Sequence, residues 1–414
     1  MKVVGLITEY NPFHNGHYHH ITEARSLTGA DYCVVVMSGN YVQRGAPALL
    51  DKYTRAKMAL ACGADLVLEL PVCFSSASAE YFSMGAVSIL ENIGVIDYLC
   101  FGSECGKIDT LKEASDILLT EPPLFKKILN ESLKAGKTFP QARMEALRMF
   151  MPQADISIFS SPNNILGMEY IKALTSLNSR IIPVTIPRIA SGYHKEALNE
   201  GVDSVISSAT AIRRAVRNKT PITDLINHVP KEVFPLLSST YNKTWPVFEE
   251  DFSLLLQYKL MAETSASLTK YLDVTPDLAN RIKGLMEPGF SYVEAAKAMK
   301  SRQWTLTRIN RSLLHILLNI TEDSMKQYKA NGYAQYGRIL GIKRTSSPLL
   351  RTMAKKSKLP LITKVGGTAN KLSKTAQSML NEELCSTALY NEVVYNKFGI
   401  LPKSEYKQGI VLQD

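Results

Sequence analysis

The stretch KVVGLITEYNPFHNGHYHH, residues 2–20, decides the fold of the amino-terminal part of this chain. Its apolar start, residues 2–7, predicts a short β-strand, and residues 8–13 predict an irregular turn. The sequence from His14 onward predicts a helix that continues to about residue 27. This segment contains four of the seven histidines of the protein, namely His14, His17, His19 and His20. A strand, a turn and a helix in this order place the histidines around the start of the helix.

The start of the predicted helix has the properties of an anion site. Its first backbone N–H groups are unpaired, and the helix dipole adds partial positive charge there. Gly16 has no Cβ, so a phosphate or a purine ring can approach the backbone closely. His14 and His17 are three residues apart, so they can share the ligand-facing edge of the helix. Because imidazoles can stabilise charge that develops at an α-phosphorus, His14 and His17 are the candidate catalytic residues.

Two other interpretations of these histidines remain open. Histidine is the commonest metal ligand, but HxxH lacks the partner carboxylate or thiolate spacing of a zinc site. No CxxC or HExxH pattern occurs anywhere in the chain, so we predict no metal site formed by the protein. The remaining alternative is a polar helix start whose histidines are incidental.

Further apolar segments follow at the spacing of βαβ units. Strands are predicted at residues 32–37, 66–70, 98–101 and 180–186, with helical sequence between them. This alternation predicts an α/β fold with a parallel sheet. Ligands of such sheets bind outside the carboxyl ends of the strands, where His14, Ser38 and Gly102 are expected.

The chain divides into two predicted domains. Residues 1–228 carry the parallel sheet, with a helical insertion at about 109–151 that is interrupted by prolines. Residues 228–252 are rich in proline and aromatic residues, which indicates a boundary. Residues 229–414 are expected to form a mainly helical, basic domain, with two candidate strands at 337–342 and 361–365.

Several loops after strands are candidates for ligand contact. Gly102 suits close approach of a nucleotide, although a simple turn explains it as well. Residues 160–164 form either a capping turn or a ligand loop. Residues 187–194 again follow a strand. The segment ISSATAIR, residues 206–213, has the pattern of an ordinary helix start.

Composition excludes some classes of protein. An apolar content of 45% and a charged content of 21% over 414 residues are typical of globular proteins. No apolar run approaches membrane-spanning length, and the chain leads straight into its first strand, so we expect a cytoplasmic protein without a membrane partner. The six cysteines have no metal-ligand spacing, and we interpret them as reduced thiols.

Charge is concentrated in one segment. The net charge is +10, yet residues 324–381 contain no Asp or Glu and twelve Lys or Arg. Tyrosines and serines are interleaved with these cations, a pattern typical of a surface that binds a phosphate backbone. A solvated basic face without a partner is the alternative. The candidate RNA contacts are Arg338, Lys343, Arg344, Arg351, Lys355, Lys356 and Lys358.

The motifs resemble those of known enzymes. HNGH at residues 14–17 resembles the HxGH signature of the nucleotidyltransferase superfamily, and ISSATAIR resembles its ISSTxIR element, with Ala209 in place of the usual threonine. Four longer words are similar to the bacterial tRNA(Met) cytidine acetate ligase family: TEYNPFHNGH (8–17), FGSE (101–104), SPNN (161–164) and PRI (187–189). This resemblance extends along essentially the whole chain.

The resemblance implies a Rossmann-like nucleotidyltransferase domain and a ligase activity. The family activates acetate with ATP to acetyl-adenylate, then transfers the acetyl group to N4 of the wobble cytidine of elongator tRNA(Met), forming N4-acetylcytidine. Mg²⁺ is expected with ATP, and no protein partner is implied. Ser208 and Arg213 are candidate phosphate contacts, and Arg188 could hold a phosphate or the acetate carboxylate. The implied ATP site comprises Ile7, Thr8, Glu9, Tyr10, Asn11, Pro12, Phe13, His14, Asn15, Gly16, His17, Tyr18, His19, His20, Gly102, Asn163, Arg188 and Ile189.

Two other functions remain open at this point. One is a cofactor-type adenylyltransferase of the same superfamily, although such chains are usually far shorter and need no basic appendage. The other is a tRNA-binding protein whose nucleotide pocket is inactive.

Overall fold

A computed structural model describes residues 1–188, 207–285 and 289–414 of the chain. Its strands are β1 Val3–Thr8, β2 Tyr32–Ser38, β3 Tyr41–Val42, β4 Ala46–Pro47, β5 Leu66–Leu70, β6 Tyr98–Ser103, β7 Ile182–Pro187, β8 Gly337–Lys343, β9 Leu361–Ile362 and β10 Val411–Gln413. Its α-helices are α1 Asn15–Thr28, α2 Lys52–Ala61, α3 Val72–Ser75, α4 Ala79–Asn92, α5 Ile108–Thr120, α6 Pro123–Lys134, α7 Phe139–Phe150, α8 Pro162–Ser176, α9 Ala209–Arg217, α10 Phe234–Thr240, α11 Ser253–Ala262, α12 Ser265–Leu268, α13 Pro276–Lys283, α14 Tyr292–Met299, α15 Leu306–Leu318, α16 Glu322–Ala330, α17 Ser347–Lys356 and α18 Lys374–Phe398.

A central sheet of eight strands organises the described part of the chain. The strand order is β10-β8-β5-β2-β1-β6-β7, and β9 pairs with β8. The five strands β5, β2, β1, β6 and β7 are parallel, as the alternating sequence predicts. Strand β1 lies in the middle of these five and leads into the loop of residues 9–14. The carboxyl ends of the parallel strands therefore form one edge of the sheet around this loop, and we call it the carboxyl edge.

Both faces of the sheet are covered, which explains the continuous apolar runs of its strands. In β2, Val34 and Val36 belong to the core on one face, together with α4, α8 and α18. Val35 and Met37 belong to the core on the other face, with α1 and α2. A strand with two buried faces needs apolar residues at every position rather than at alternate ones.

The carboxyl-terminal part of the chain returns to the sheet. Strand β8 pairs antiparallel with β5, and β9 and β10 both pair with β8. Strand β8, which lies beyond the predicted boundary near residue 228, therefore belongs to the same sheet as the strands before that boundary. A local sequence pattern cannot indicate this pairing, because the partner of β8 lies some 270 positions earlier in the chain. Between the two parts, the described residues from 253 to 330 are mainly helical, as predicted.

The helical region lies against the carboxyl edge through a short hairpin. Strands β3 and β4 form this hairpin directly after β2, and Gly45 lies at its turn with φ +76°. A Cβ on Gly45 would approach the backbone nitrogen of Arg311 in α15 to 2.3 Å. Only glycine permits this contact, which places α15 beside the loops of the carboxyl edge. Within the described ranges, every helix is too short or too polar to cross a membrane.

A buried cluster of charges joins the carboxyl-terminal elements to the sheet. It comprises two cations, Lys52 and Arg338, and three carboxylates, Glu69, Glu383 and Glu405, and each residue is at most 6% exposed. The Lys52 ammonium lies 2.6 Å from Glu69, 3.2 Å from Glu383 and 3.4 Å from Glu405. Burial, with Glu383 nearby, raises the pKa of Glu69 to about 7.

The prediction that Arg338 contacts RNA is wrong. Its guanidinium pairs with Glu69 at 3.0 Å and with Glu405 inside the cluster. The residue is 3% exposed, so it cannot reach a ligand on the surface. Arg338 lies on a strand that is buried on both faces, and its position within a basic segment of the sequence gave no sign of the distant carboxylates.

Candidate active site

The histidine motif lies at the carboxyl edge, where the turn after β1 meets α1. His14 is the N-cap residue of α1, and its Nδ1 accepts a hydrogen bond from the backbone N–H of Gly16 at 3.0 Å. The Nδ1 of His17 accepts from the backbone N–H of His14 at 3.3 Å. The two rings lie with their centroids 3.8 Å apart. The pair thus caps the helix reciprocally, in the manner of a capping box.

These hydrogen bonds determine where the imidazole protons lie. Burial, with the charges of Arg188 and Arg213, lowers the pKa of His14 to about 3. Burial and His14 likewise lower the pKa of His17 well below its usual value. Both rings are therefore neutral near pH 7. Since each Nδ1 is an acceptor, the single proton of each ring is on Nε2, which leaves one Nε2–H donor on each ring for a ligand.

Three of the predicted ATP residues, each from a different segment of the chain, come together beside the histidine motif at the carboxyl edge. Gly102 lies near the carboxyl end of β6, and a Cβ on it would approach the side chain of Arg188 to 3.2 Å. The guanidinium of Arg188 in turn donates to Oδ1 of Asn163 at 3.3 Å. The chain segments that carry these residues are widely separated in sequence. Residue Ile189 lies outside the described residues, as does the rest of the segment 189–206.

Glu104, which the sequence analysis did not select, orients this group. Its Oε1 accepts from Nδ2 of Asn163 at 2.6 Å, so the Oδ1 of the same amide is turned toward Arg188. Its Oε2 accepts from the backbone N–H of Asn164 at 2.8 Å, at the start of α8. The carboxylate thus caps the amino end of α8, and the same turn presents Asn163 to Arg188.

We expect Glu104→Gln to weaken the binding of ATP about 10-fold. A glutamine can present its oxygen either to Asn163 or to α8, whereas the carboxylate satisfies both, and the loss of one charge-assisted bond costs about 1.5–3 kcal/mol. Isothermal titration calorimetry with ATP measures the change. The control is Glu113→Gln on α5, which removes one negative charge from an exposed position. Equal ATP affinity of the two variants would contradict this role of Glu104.

The start of α9 completes the site from the other side. Ser208 is its N-cap residue, and its hydroxyl accepts from the backbone N–H of Ala211 at 3.1 Å. Arg213 donates to the backbone oxygen of Asn11 at 2.7 Å, so it lies against the loop that carries the histidine motif. The structure therefore brings the residues of ISSATAIR next to those of HNGH, as the order of the two motifs predicts.

The combined geometry suits a polyphosphate. Two neutral imidazole donors, a helix start and the guanidinium groups of Arg188 and Arg213 meet at one edge of the sheet. Cations and fixed N–H donors stabilise the negative charge that develops on phosphate oxygens during a displacement. In the described part of the chain, no group of three or more His, Cys, Asp or Glu residues could hold a metal ion.

The predicted RNA-contacting residues lie at the opposite edge. The backbone N–H of Lys343 donates to the oxygen of Asp65, just before β5, and that of Lys358 donates to Asn92 at the end of α4. Residues 343–358 therefore run along the amino ends of the parallel strands. Arg344, Arg351, Lys355, Lys356 and Lys358 are exposed there, and Lys343 is half-buried.

The interleaved aromatic residues do not belong to this surface. Tyr328 and Tyr336 are fully buried and Tyr333 is 9% exposed, so all three are part of the core. The interleaved rings therefore form no part of an RNA-binding surface, because they pack in the core together with residues of α4 and α18. Ser346 is also buried, and its hydroxyl donates to Asp65.

Comparisons with known proteins agree with the geometry. The family model described as HIGH Nucleotidyl Transferase matches residues 1–403. A protein of Acetivibrio thermocellus named tRNA(Met) cytidine acetate ligase is 39% identical over 100% of both chains. A protein of the same name from Alkaliphilus metalliredigens is 40% identical, over 96% of this chain and 95% of its own.

Solved structures show the same architecture. The crystal structure of Thermotoga maritima TmcAL bound with alpha-thio ATP matches with a TM-score of 0.89 and 31% identity, over 100% of this chain and 99% of that chain. The apo form of the same protein matches with a TM-score of 0.90 and 32% identity at the same coverage. The predicted fold class and the resemblance are confirmed. The chain therefore belongs to the tRNA(Met) cytidine acetate ligase family of the HIGH nucleotidyl transferases.

Proposed function

We propose that this protein is a ligase that activates acetate with ATP and acetylates N4 of the wobble cytidine of elongator tRNA(Met). The paired Nε2–H donors of His14 and His17 at the carboxyl edge carry the proposal. The names of the relatives, and the ATP analogue in the Thermotoga maritima structure, support it. A protein that modifies tRNA works where tRNA is present, which agrees with the expected cytoplasmic location.

The first step makes acetate reactive. A carboxylate oxygen of acetate attacks the α-phosphorus of ATP, the bond from that phosphorus to the bridging oxygen breaks, and pyrophosphate leaves. His14 and His17 donate to the oxygens on which charge develops, while Arg188 and Arg213 hold the phosphates. Mg²⁺ would neutralise charge on the triphosphate, and since the described residues offer no preformed metal site, we assign it to the nucleotide.

The second step transfers the acetyl group. The exocyclic amine of cytidine attacks the carbonyl carbon of the mixed anhydride, AMP leaves, and the amine releases one proton. This step needs no serine or cysteine nucleophile, because the carbonyl is already activated. An unstacked base in an RNA loop can enter such a site, whereas a paired base cannot.

One incubation distinguishes the proposed function from its alternatives. Purified protein receives ATP, labelled acetate and tRNA, and the RNA is digested to nucleosides for mass spectrometry. N4-acetylcytidine in tRNA(Met) supports the ligase. Transfer of the nucleotide to another acceptor, with unlabelled tRNA, would instead support a cofactor-type adenylyltransferase. Binding of tRNA without any turnover would support a protein with an inactive pocket.

The exposed cations of residues 343–358 are proposed to hold the tRNA backbone. They lie at the amino ends of strands that span roughly 20 Å, so the RNA they contact is not the reacting base itself. Contacts of this kind provide affinity without reading bases. We therefore expect the bound RNA to extend around the sheet, from this surface to the carboxyl edge.

Replacing Lys355, Lys356 and Lys358 together by glutamine should weaken tRNA binding on the order of 10-fold near physiological salt. The slope of log affinity against log salt should fall by up to about three, one for each lost phosphate contact. The control replaces Lys126, Lys127 and Lys134 on α6, which are equally exposed and remove the same charge. If the two triple variants bind tRNA alike at several salt concentrations, the proposed surface is wrong.

A further inference from the structure

We propose that Arg55 is a positioning residue that fixes the loop of residues 9–14 for the activation step. Arg55 lies on α2, is fully buried, and is remote in sequence from both nucleotide motifs. Its guanidinium reaches the carboxyl ends of β1 and β2, where the backbone leaves the sheet. This role rests on the proposed function and adds a residue to its machinery.

The contacts of Arg55 are all with backbone oxygens. It donates to the oxygen of Glu9 at 2.7 Å, to that of Ser38 at 2.9 Å and to that of Gly39. Its Nε donates to the oxygen of Leu50 at 3.0 Å. Four carbonyls from three chain segments thus share one side chain. Carbonyls that leave a sheet have no strand partner, so the guanidinium supplies the hydrogen bonds that they would otherwise lack.

The loop is held at two further points by different groups. The side-chain oxygen of Asn11 accepts from the backbone N–H of Leu49 at 2.7 Å, next to the residue whose carbonyl Arg55 binds. The backbone oxygen of Asn11 accepts from Arg213. The guanidinium groups of Arg55 on α2 and of Arg213 on α9 therefore both hold the loop by hydrogen bonds to its backbone. His14 follows three residues after this clamp, so the position of its ring depends on where the clamp sets the backbone.

Lysine cannot replace this arrangement. Its ammonium presents three donors around one atom, whereas the guanidinium spreads five donors over a planar fork. Arg55→Lys leaves at least one of the four carbonyls unpaired, and the loop is expected to shift. Because a shift of about 1 Å in a positioning element can cost on the order of 100-fold in rate, we expect that loss in the activation step.

Acetate-dependent ATP–pyrophosphate exchange tests the inference. Arg55→Lys should lower the kcat of exchange about 100-fold while the affinity for tRNA stays within twofold. In Arg55→Ala, guanidinium at millimolar concentrations, too low to denature the protein, should restore part of the exchange. Sucrose, which stabilises folded proteins without filling the cavity, should not restore it.

A stability-matched control separates positioning from general destabilisation. Leu256→Ala removes a fully buried side chain from α11, outside the loop. It should lower the melting temperature with little effect on ATP–pyrophosphate exchange. Hydrogen exchange of the amides of residues 9–14 should quicken in Arg55→Lys and not in Leu256→Ala. The role of Arg55 would be overturned if the rate of ATP–pyrophosphate exchange in Arg55→Lys were within twofold of that of the parent. It would also be overturned if sucrose alone restored this reaction in Arg55→Ala.

The wild-type protein distinguishes the two levels of failure. If the wild type shows no acetate-dependent ATP–pyrophosphate exchange, the proposed function fails. Faster hydrogen exchange of the loop amides in Arg55→Lys would in that case still show that Arg55 holds the loop in place. If the wild type exchanges and Arg55→Lys does so equally, only the role of Arg55 fails.

Discussion

Replacing His14 or His17 by asparagine is expected to lower the rate of acetate-dependent ATP–pyrophosphate exchange by about 100-fold to 1,000-fold. Each imidazole offers one Nε2–H donor to the phosphate on which charge develops, and removal of a single such donor typically costs this much in rate. The affinity for tRNA should remain nearly unchanged, because the exposed basic surface lies at the opposite edge of the sheet. Alanine at either position should have at least as large an effect.

Asparagine is the informative substitution because it separates the two roles of each ring. Its side-chain oxygen can replace Nδ1 as the acceptor of a backbone N–H, and asparagine is among the best N-cap residues. The start of α1 should therefore stay intact in His14→Asn, with a melting temperature near that of the parent. Only the donor at the position of Nε2 is lost.

The control for this pair is Ser26→Ala, an exposed position on the same helix. It should leave exchange unchanged. If the two asparagine variants kept exchange within 10-fold of the parent while folding normally, phosphate stabilisation by the imidazoles would be refuted. A simultaneous loss of exchange and of the α1 structure would indicate that the rings act mainly as caps.

The sequence predicted the histidine motif and its position because the signal is local. A strand, a turn and a helix start occupy twenty consecutive residues, and their geometry follows from backbone rules alone. Gly102, Asn163 and Arg188 could be named only through the resemblance, since nothing in their spacing shows that three loops meet. The structure brings these three residues together.

Arg55 and Glu104 show what the sequence did not reveal. Both act through backbone or amide groups, and such contacts leave no residue pattern, because any sequence supplies carbonyls and N–H groups. Arg55 lies on α2 with two other cations, Lys52 and Lys57, and nothing in the sequence distinguishes it from them, yet it is fully buried. Arg55 stands out once its burial is known, because a fully buried cation is rare, whereas Glu104 is exposed and stands out only by its hydrogen bonds.

The same limit applies to the basic segment. Its charge was correctly located, but Arg338 lies inside the protein and the tyrosines lie in the core. Charge in a sequence window indicates a surface only where the side chains point outward. Here β8 turns inward to pair with β5, and its arginine forms ion pairs with Glu69 on β5 and with Glu405 in the loop before β10.

Replacing Lys52 by methionine is expected to destabilise the fold by about 3–5 kcal/mol, the usual cost of removing one partner from a buried ion pair. The ammonium lies within 3.4 Å of three carboxylates and is fully buried. Without it, one guanidinium faces three carboxylates. The loss should appear as a lower melting temperature and a lower midpoint of urea unfolding.

The dependence on pH distinguishes a charge effect from a packing effect. The folded protein raises the pKa of Glu69 to about 7, above the value of an unfolded carboxyl group. A carboxyl with a raised folded pKa contributes stability that is present at low pH and lost as pH rises through that pKa. Removal of Lys52 should raise the pKa values of the cluster further, so its cost should be larger at pH 8 than at pH 5.5.

Lys57→Met on the same helix is the matched control, because Lys57 is exposed and should change stability by no more than about 0.5 kcal/mol. Lys52 connects α2 with carboxylates of α18 and of the loop before β10. Its loss should therefore also loosen the carboxyl-terminal elements from the sheet. Limited proteolysis should then cut Lys52→Met first after residue 370. A variant as stable as Lys57→Met at pH 8 would show that the cluster contributes no net stability, and that hydrophobic packing alone holds these elements against β5.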